Sequence, residues 1–540
     1  MHCTKVNGKA LLPALAAVTE SANTLLGPCR SRKQISQGIC VDSLSAFTSH
    51  DRLGGENVDC DTGAVFTANI VTVLRSLHVE HPIIALLLKT VESHINEFGT
   101  GATTLVTLVH TLTDAAMDLQ HISPYRVTRG FGNALARCMT TLTRMRMNIQ
   151  EWLRETSWRH DGGQRPLSYS IPLLGTALSS THPDRAAAMA KAVEVALSMD
   201  SFDLSWPHHV HFHAFVGPSN AVHLTGLFLD ISDNLDGWVT PHDGASGNLS
   251  TFSSHHFALM HGDIVFSSAT CLWLESARVV VASGSICAKT VDWCRHRHAG
   301  QHAIACIPHQ RLADLRHVSL AFGVSICEDV CERALDVAGC AIHASVYTLH
   351  NRTFLRLEHD SQFRTTPVTV LVGGMTASAA VETQAQIVNA LHRLAHALDD
   401  QVVLPGGGAA FAACAASLRR QPPAPDDVDV ELATRRFGEA LEDWCVGLVL
   451  NSTSLTDATL DGGYLAAKTK LHDVLAAFDE GEQDDKFLEA TFYGASLTPV
   501  PAPRGTYQFD GYTSTKAALT SAVRVVSLAL NIGTVIINQP

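Results

Sequence analysis

Gly99-Thr100-Gly101 opens a stretch whose residue types and spacing suit an anion. Before it, Ile84, Leu87, Leu88, Val91 and Ile95 recur at helical spacing, and after it Leu105, Leu108, Val109 and Leu112 resume that spacing. A glycine turn at a helix N-terminus leaves backbone N–H groups pointing outward, where the positive end of the helix dipole favours a phosphate. Thr103 and Thr104 would add hydroxyl donors in the first turn. Taken alone, the same residues more often make a plain helix cap and turn, and both readings stand.

Elsewhere the reactive side chains lack the spacing their chemistry requires. His209, His211 and His213 alternate, which would put three imidazoles on one strand face. That is either a zinc site or a solvated polar-edge strand, and no cysteine or carboxylate stands at ligand spacing beside them. Cys294, His296, His298 and His302 pose the same choice, so no metal is expected. The 14 cysteines form no CxxC pair, which argues against a zinc ribbon or a disulfide framework and for reduced thiols. G-x-S-x-G, HExxH, Walker A and Rossmann signatures are all missing from the sequence.

With 540 residues, 46% of them hydrophobic, the chain has material for roughly two to four globular domains. Its net charge of -13 and its lack of a basic tract argue against nucleic acid as a partner. No apolar run approaches the roughly 20 residues of a membrane span, so no membrane insertion is expected. Ala10 to Ala17 is read as part of an ordinary first helix, because Leu11, Leu15, Val18, Ala22 and Leu25 continue the helical spacing.

The elements that must position the glycine turn are mostly helices. Ser123-Pro124 starts a long helix, with proline where its missing N–H costs nothing. Another helix is predicted over Arg185 to Met199. From Trp206 the period changes to short alternating runs such as Val222 to Leu229 and Arg278 to Ala282, interleaved with helical pieces at Ala288 to Arg297 and Leu312 to Phe322. Val368 to Gly374 reads as a buried strand and Glu382 to Leu398 as a strong helix. Gln421 to Asp427 and Asp479 to Gly511 read as surface loops.

In order along the chain, these motifs resemble the group II chaperonin family. Leu26-Gly27-Pro28 is similar to its first phosphate loop, Val79-Glu80-His81-Pro82 to its VEHP helix start, and Gly99 to Thr104 to its GDGTT loop. Thr176 to Ser180 is similar to a hinge block, and Val403 to Gly408 to the VVPGGG loop beside the nucleotide. The resemblance implies a multidomain α+β subunit. Its parts would be a helical equatorial domain from residues 1–150 and 401–540, an intermediate domain from 151–205 and 363–400, and an α/β apical domain over 206–362. The apical lid protrusion would be shortened, for Phe257 to Met260 and Ala277 to Ala282 leave little room between them.

The family's carboxylates are exchanged. Its acidic positions correspond here to Asn69, Thr100 and Asn389, so the resemblance implies no catalytic acid and a chain that is not an enzyme. Gly27, Pro28, Gly99, Gly101, Thr103, Thr104, Gly406, Gly407 and Gly408 would hold ATP or ADP weakly, or no cofactor at all. The pattern is most similar to the McKusick-Kaufman and Bardet-Biedl branch of the family. That branch implies an assembly factor for the ciliary coat complex, the BBSome. Its partners would be other chaperonin-like subunits and the cytosolic chaperonin, in the cytoplasm and at the centrosome or basal body. An ATP-hydrolysing ring subunit and a standalone apical binding module are the alternative readings.

Overall fold

Asn69, His81, Ser123 and Ser267 each cap the start of a helix, their side chains accepting from an N–H of its first turn. In chain order, β1 (His2–Lys5), a 3-10 turn at Gly8–Leu11, α1 (Leu12–Asn23), β2 (Lys33–Ser36) and β3 (Ala64–Thr67) come first. Next are α2 (Ile70–Ser76), α3 (Pro82–Phe98), α4 (Ala102–Asp118), α5 (Pro124–Arg144) and β4 (Met147–Asn148). Then follow β5 (Val210–Val216), β6 (Ala221–Thr225), β7 (Leu227–Asp230), β8 (Phe252–Ser253), β9 (Phe257–Met260), α6 (Ser268–Trp273), β10 (Val279–Ala282), α7 (Ala288–Arg297), β11 (Ala305–Ile307), α8 (Leu312–Phe322) and β12 (Ile326–Cys327). The chain continues through β13 (Ala341–Leu349), β14 (Arg352–His359), β15 (Val368–Gly374), α9 (Ala377–Asp400), β16 (Val402–Pro405), α10 (Ala409–Arg420), α11 (Val428–Leu450), β17 (Phe509–Gly511), α12 (Tyr512–Asn531) and β18 (Thr534–Ile537).

This computed structural model describes residues 2–5, 8–26, 33–36, 64–77, 81–149, 210–218, 221–231, 252–253, 257–274, 277, 279–297, 305–328, 341–349, 352–359, 368–420, 427–451, 465, 468–469, 471–472, 509–532 and 534–537. The intermediate-domain stretch 151–205, with its hinge block and its helix, lies outside the described residues, as do Gly27, Pro28 and His209. Packing divides the chain into two units. One holds the described residues of Met1–Cys40, Asp61–Val193 and Ala385–Pro540, the other those of Glu194–Gln384.

The first unit is a helical core built from both ends of the chain. α4 packs against α1, α11 and α12. Leu105, Val106, Leu108, Val109 and Leu112 are all fully buried, one broad apolar face of a helix whose other side carries His110, Asp114 and Asp118. Phe131 on α5 meets Phe437 on α11 edge to face, with ring centroids 5.4 Å apart. Asp479 to Gly511 was expected as a surface loop throughout, but Phe509–Gly511 is a strand, β17, paired antiparallel with β16, and Phe509 is buried. Residues 479–508 of that loop lie outside the described ones.

In the second unit, a four-stranded sheet in the order β11-β10-β9-β12 has parallel pairings throughout. Side chains alternate along its strands: Phe257, Leu259, Val279 and Val281 enter one core, and Ala258, Met260, Val280 and Ala282 another. Burial on both faces explains why these strands read as unbroken apolar runs. The run Val222 to Leu229 is two strands, broken where Gly226 takes a φ of 104°. Between β9 and β10 the one described helix is the six-residue α6.

Replacing Phe437 with alanine removes a fully buried ring that joins the N-terminal and C-terminal segments. Phe437→Ala is therefore expected to destabilise this unit by about 3–5 kcal/mol, read as a lowered urea midpoint by circular dichroism.

Candidate functional site

The turn between α3 and α4 is built from two left-handed glycines. Gly99 caps α3 with a φ of 64°, its N–H donating to the Ile95 carbonyl at 2.7 Å, and Gly101 precedes α4 with a φ of 86°. Both conformations are costly for residues with a Cβ. Crowding adds a second reason for glycine here. A Cβ at Gly99 would run into the His392 ring, and one at Gly101 would stand 2.7 Å from His94 Nε2. The turn is thus held between α3 and α9, and Phe98 sits between the rings of His94 and His396 at 4.9 and 5.4 Å.

Beside this turn lies a small open cleft of about 30 Å³, walled by Thr100, Gly101, Thr104, Arg393, Asp510 and Ser514, with Phe411 and Trp444 among its apolar walls. Arg393 Nε donates to Thr100 Oγ1 at 3.3 Å, and its Nη1 stands 3.8 Å from Asp510 Oδ1. Burial raises the Asp510 carboxyl above the ordinary aspartate range, against the opposing pull of Arg393. Trp444 Nε1 donates to Thr107 Oγ1 at 2.8 Å, which fixes the indole against α4. The cleft therefore offers N–H groups at a helix N-terminus, several hydroxyls and one guanidinium, a donor set for an anion.

The structure brings some of the expected residues together and not others. Thr100, Gly101 and Thr104 form walls, with Gly99 and Thr103 in the same turn and helix. Gly406, Gly407 and Gly408 are buried at the start of α10 and are not themselves walls of the cleft, though Phe411 on that helix is. Asn69 is not a wall residue. It caps α2, its side chain accepting from the Val71 N–H at 3.0 Å, a task asparagine performs well. Asn389 is half-buried on α9, one turn before Arg393 and likewise outside the walls.

Sequence reasoning missed Arg393, Asp510 and Ser514. The signal for Arg393 was its spacing, since residues four apart share a helix face and Asn389 already marked that face. Asp510 carried no local signal, because it sits in the short strand hidden at the end of a loop-like stretch.

The histidines on β5 are neither solvated nor, among the described residues, part of a metal-ligating group. His211 is buried with Nε2 2.7 Å from Asp314 Oδ1. His213 is buried with Nε2 3.2 Å from Asp230 Oδ2, within ion-pair distance though not aligned for a hydrogen bond. Arg311 donates to Asp314, and Arg352 to Asp230 at 2.6 Å. Burial would raise the Asp314 carboxyl, but the Arg311 charge and the bonds from His211 and Arg311 outweigh it and hold Asp314 below the ordinary range.

The TCP-1/cpn60 chaperonin family profile matches residues 58–158 and 272–540. Thermosome subunit alpha of Saccharolobus shibatae is 22% identical over 436 residues, covering 74% of each chain, and that of Saccharolobus solfataricus gives the same figures. Thermosome subunit alpha of Archaeoglobus fulgidus is 28% identical over 145 residues, which spans 26% of this chain and only 23% of that relative. These similarities correct the expectation that the chain is not an enzyme. The thermosome relatives are ATPases, and the exchanged side chains at Asn69, Thr100 and Asn389 do not by themselves show that the site is degenerate.

Burial pushes the imidazoles of His94 and His211 down to about 4, against opposing effects of the Thr100 backbone and Asp314 respectively. An unfolded chain binds these protons near pH 6.5, so between about 6.5 and 4 the unfolded state holds more protons and stability is lost as the pH is lowered. The melting temperature is expected to drop from pH 7 to pH 5, and His94→Gln should make the drop of the helical unit shallower; an unchanged slope would refute the His94 contribution.

Proposed function

Because the chain belongs to the TCP-1/cpn60 chaperonin family, we propose that it is a divergent chaperonin-type subunit that uses a nucleotide to assist the assembly of other proteins. The observation that carries this reading is the pair of left-handed glycines at the N-terminus of α4, opening onto a cleft walled by hydroxyls and a guanidinium. That arrangement suits the phosphates of ATP or ADP, and ATP turnover comes with the family's activity. A standalone apical binding module is less well supported, since it would leave the helical unit and its glycine turn without a task.

Partners in this reading are related chaperonin subunits and the cytosolic chaperonin. β18 pairs antiparallel with β1, and β2 with β3, in two separate two-stranded sheets. One side of the last strand is thus covered by the N-terminal strand. The outer edges of both sheets remain unpaired among the described residues, and such edges accept a strand from another chain. The finer resemblance to the McKusick-Kaufman and Bardet-Biedl branch makes subunits of the ciliary coat complex the proposed clients, and the cytoplasm near the basal body the proposed place.

Purified protein is expected to turn over ATP above the buffer blank. Gly101→Val places a branched side chain against His94 and should weaken ATP affinity at least about tenfold, or about 1.4 kcal/mol. Equal ATP affinity in the variant, measured by calorimetry, would remove the turn from the site. Deleting Thr534 to Pro540 is expected to abolish co-purification with other chaperonin subunits, since β1 then loses its only described partner strand; retained association would place the contact elsewhere.

A further inference from the structure

The family to which the chain belongs implies a magnesium ion beside the nucleotide, and the residues of this cleft do not fit one. Mg²⁺ is held through hard oxygen ligands, usually one or two carboxylates together with substrate phosphates, at near-octahedral geometry. The wall position nearest the turn is Thr100, a neutral hydroxyl already engaged by Arg393. Among the described residues Asp510 is the one carboxylate in the walls, and the same guanidinium stands 3.8 Å from it. A divalent cation at this point would share its neighbours with a fixed positive charge.

The chain's own cation is well placed for the same task. His392, Arg393 and His396 follow Asn389 at helical spacing, so one face of α9 runs along the glycine turn. Contacts of His392 with Gly99 and of His396 with Phe98 hold that face in place. Thr100 steadies the guanidinium from one side. Guanidinium is always protonated, presents a planar fork of donors and matches phosphate geometry, so it can neutralise phosphate charge without any ligand set.

We propose that Arg393 takes the place of the metal as the charge-compensating group for the nucleotide phosphates, so that this chain binds ATP without Mg²⁺. The inference rests on the nucleotide reading of the cleft. It concerns binding and involves no bond-making step.

The test is isothermal titration of the full chain with ATP, once in excess Mg²⁺ and once in EDTA, followed by the same titrations of Arg393→Lys and Arg393→Met. The expected result is wild-type affinity in EDTA equal to or tighter than that in Mg²⁺, since the uncomplexed nucleotide carries more negative charge. Arg393→Met should weaken binding about ten- to a hundredfold, the size of a charge-assisted bond to an anion, with Arg393→Lys in between. Binding that appears only with Mg²⁺ would overturn this inference and leave the nucleotide reading standing. Binding in neither condition would overturn the nucleotide reading and the inference with it. Metal-independent binding unchanged in Arg393→Met would overturn the role of Arg393. The Mg²⁺ comparison uses the unaltered protein, so it decides even if Arg393→Met does not fold.

Discussion

The close passage of α3, α4 and α9 around Gly99 and Gly101 is the constraint on which the helical unit's site depends. Two consecutive helices with buried faces must be joined by three residues, and two of those take backbone angles that a Cβ would penalise. The space a side chain would fill is already taken by His94 from one side and His392 from the other. Glycine here is demanded at once by backbone angle and by packing. As a result the N-terminus of α4 borders the cleft, with Gly101 and Thr104 among its walls.

Electrostatics around that turn differ from what paired carboxylates would give. Among the described residues the cleft's walls hold one acid and one guanidinium, and burial pushes the acid toward its neutral form. The remaining polar groups are hydroxyls and N–H donors, so the local field favours negative charge. Asp400, at the end of α9, accepts from the Thr513 N–H in the first turn of α12. This anion at a helix N-terminus ties the helix that carries Arg393 to the one that carries Ser514.

The second unit solves a separate problem with the same chemistry. Its parallel sheet is apolar on both faces, while the adjoining strand β5 brings two histidines inside. Each is matched by a carboxylate that an arginine also contacts, His211 by Asp314 with Arg311 and His213 by Asp230 with Arg352. Buried charges arranged in this way contribute little net stability compared with an apolar core, but removing one partner would strand the others. They act as registration points between β5, α8 and the β7–β14 pair.

Local patterns were legible in the sequence wherever the deciding residues lie within a few positions of one another. Ser123 and Pro124 announce α5, the apolar period announces α3 and α4, and the runs Ala288 to Arg297, Leu312 to Phe322 and Val368 to Gly374 coincide with a helix, a helix and a strand. The glycine landmarks were legible as well, because left-handed backbone is a property of single residues. What the sequence could not supply was who meets whom across the fold. Arg393, Thr100 and Asp510 are separated by hundreds of positions and meet only because α9, the α3–α4 turn and β17 pack together. The burial of His211 and His213 and the pairing of β18 with β1 were decided in the same way. Helical and strand periods report which face of an element is apolar, whereas the partner that covers this face is chosen by long-range packing, and that choice belongs to the tertiary structure.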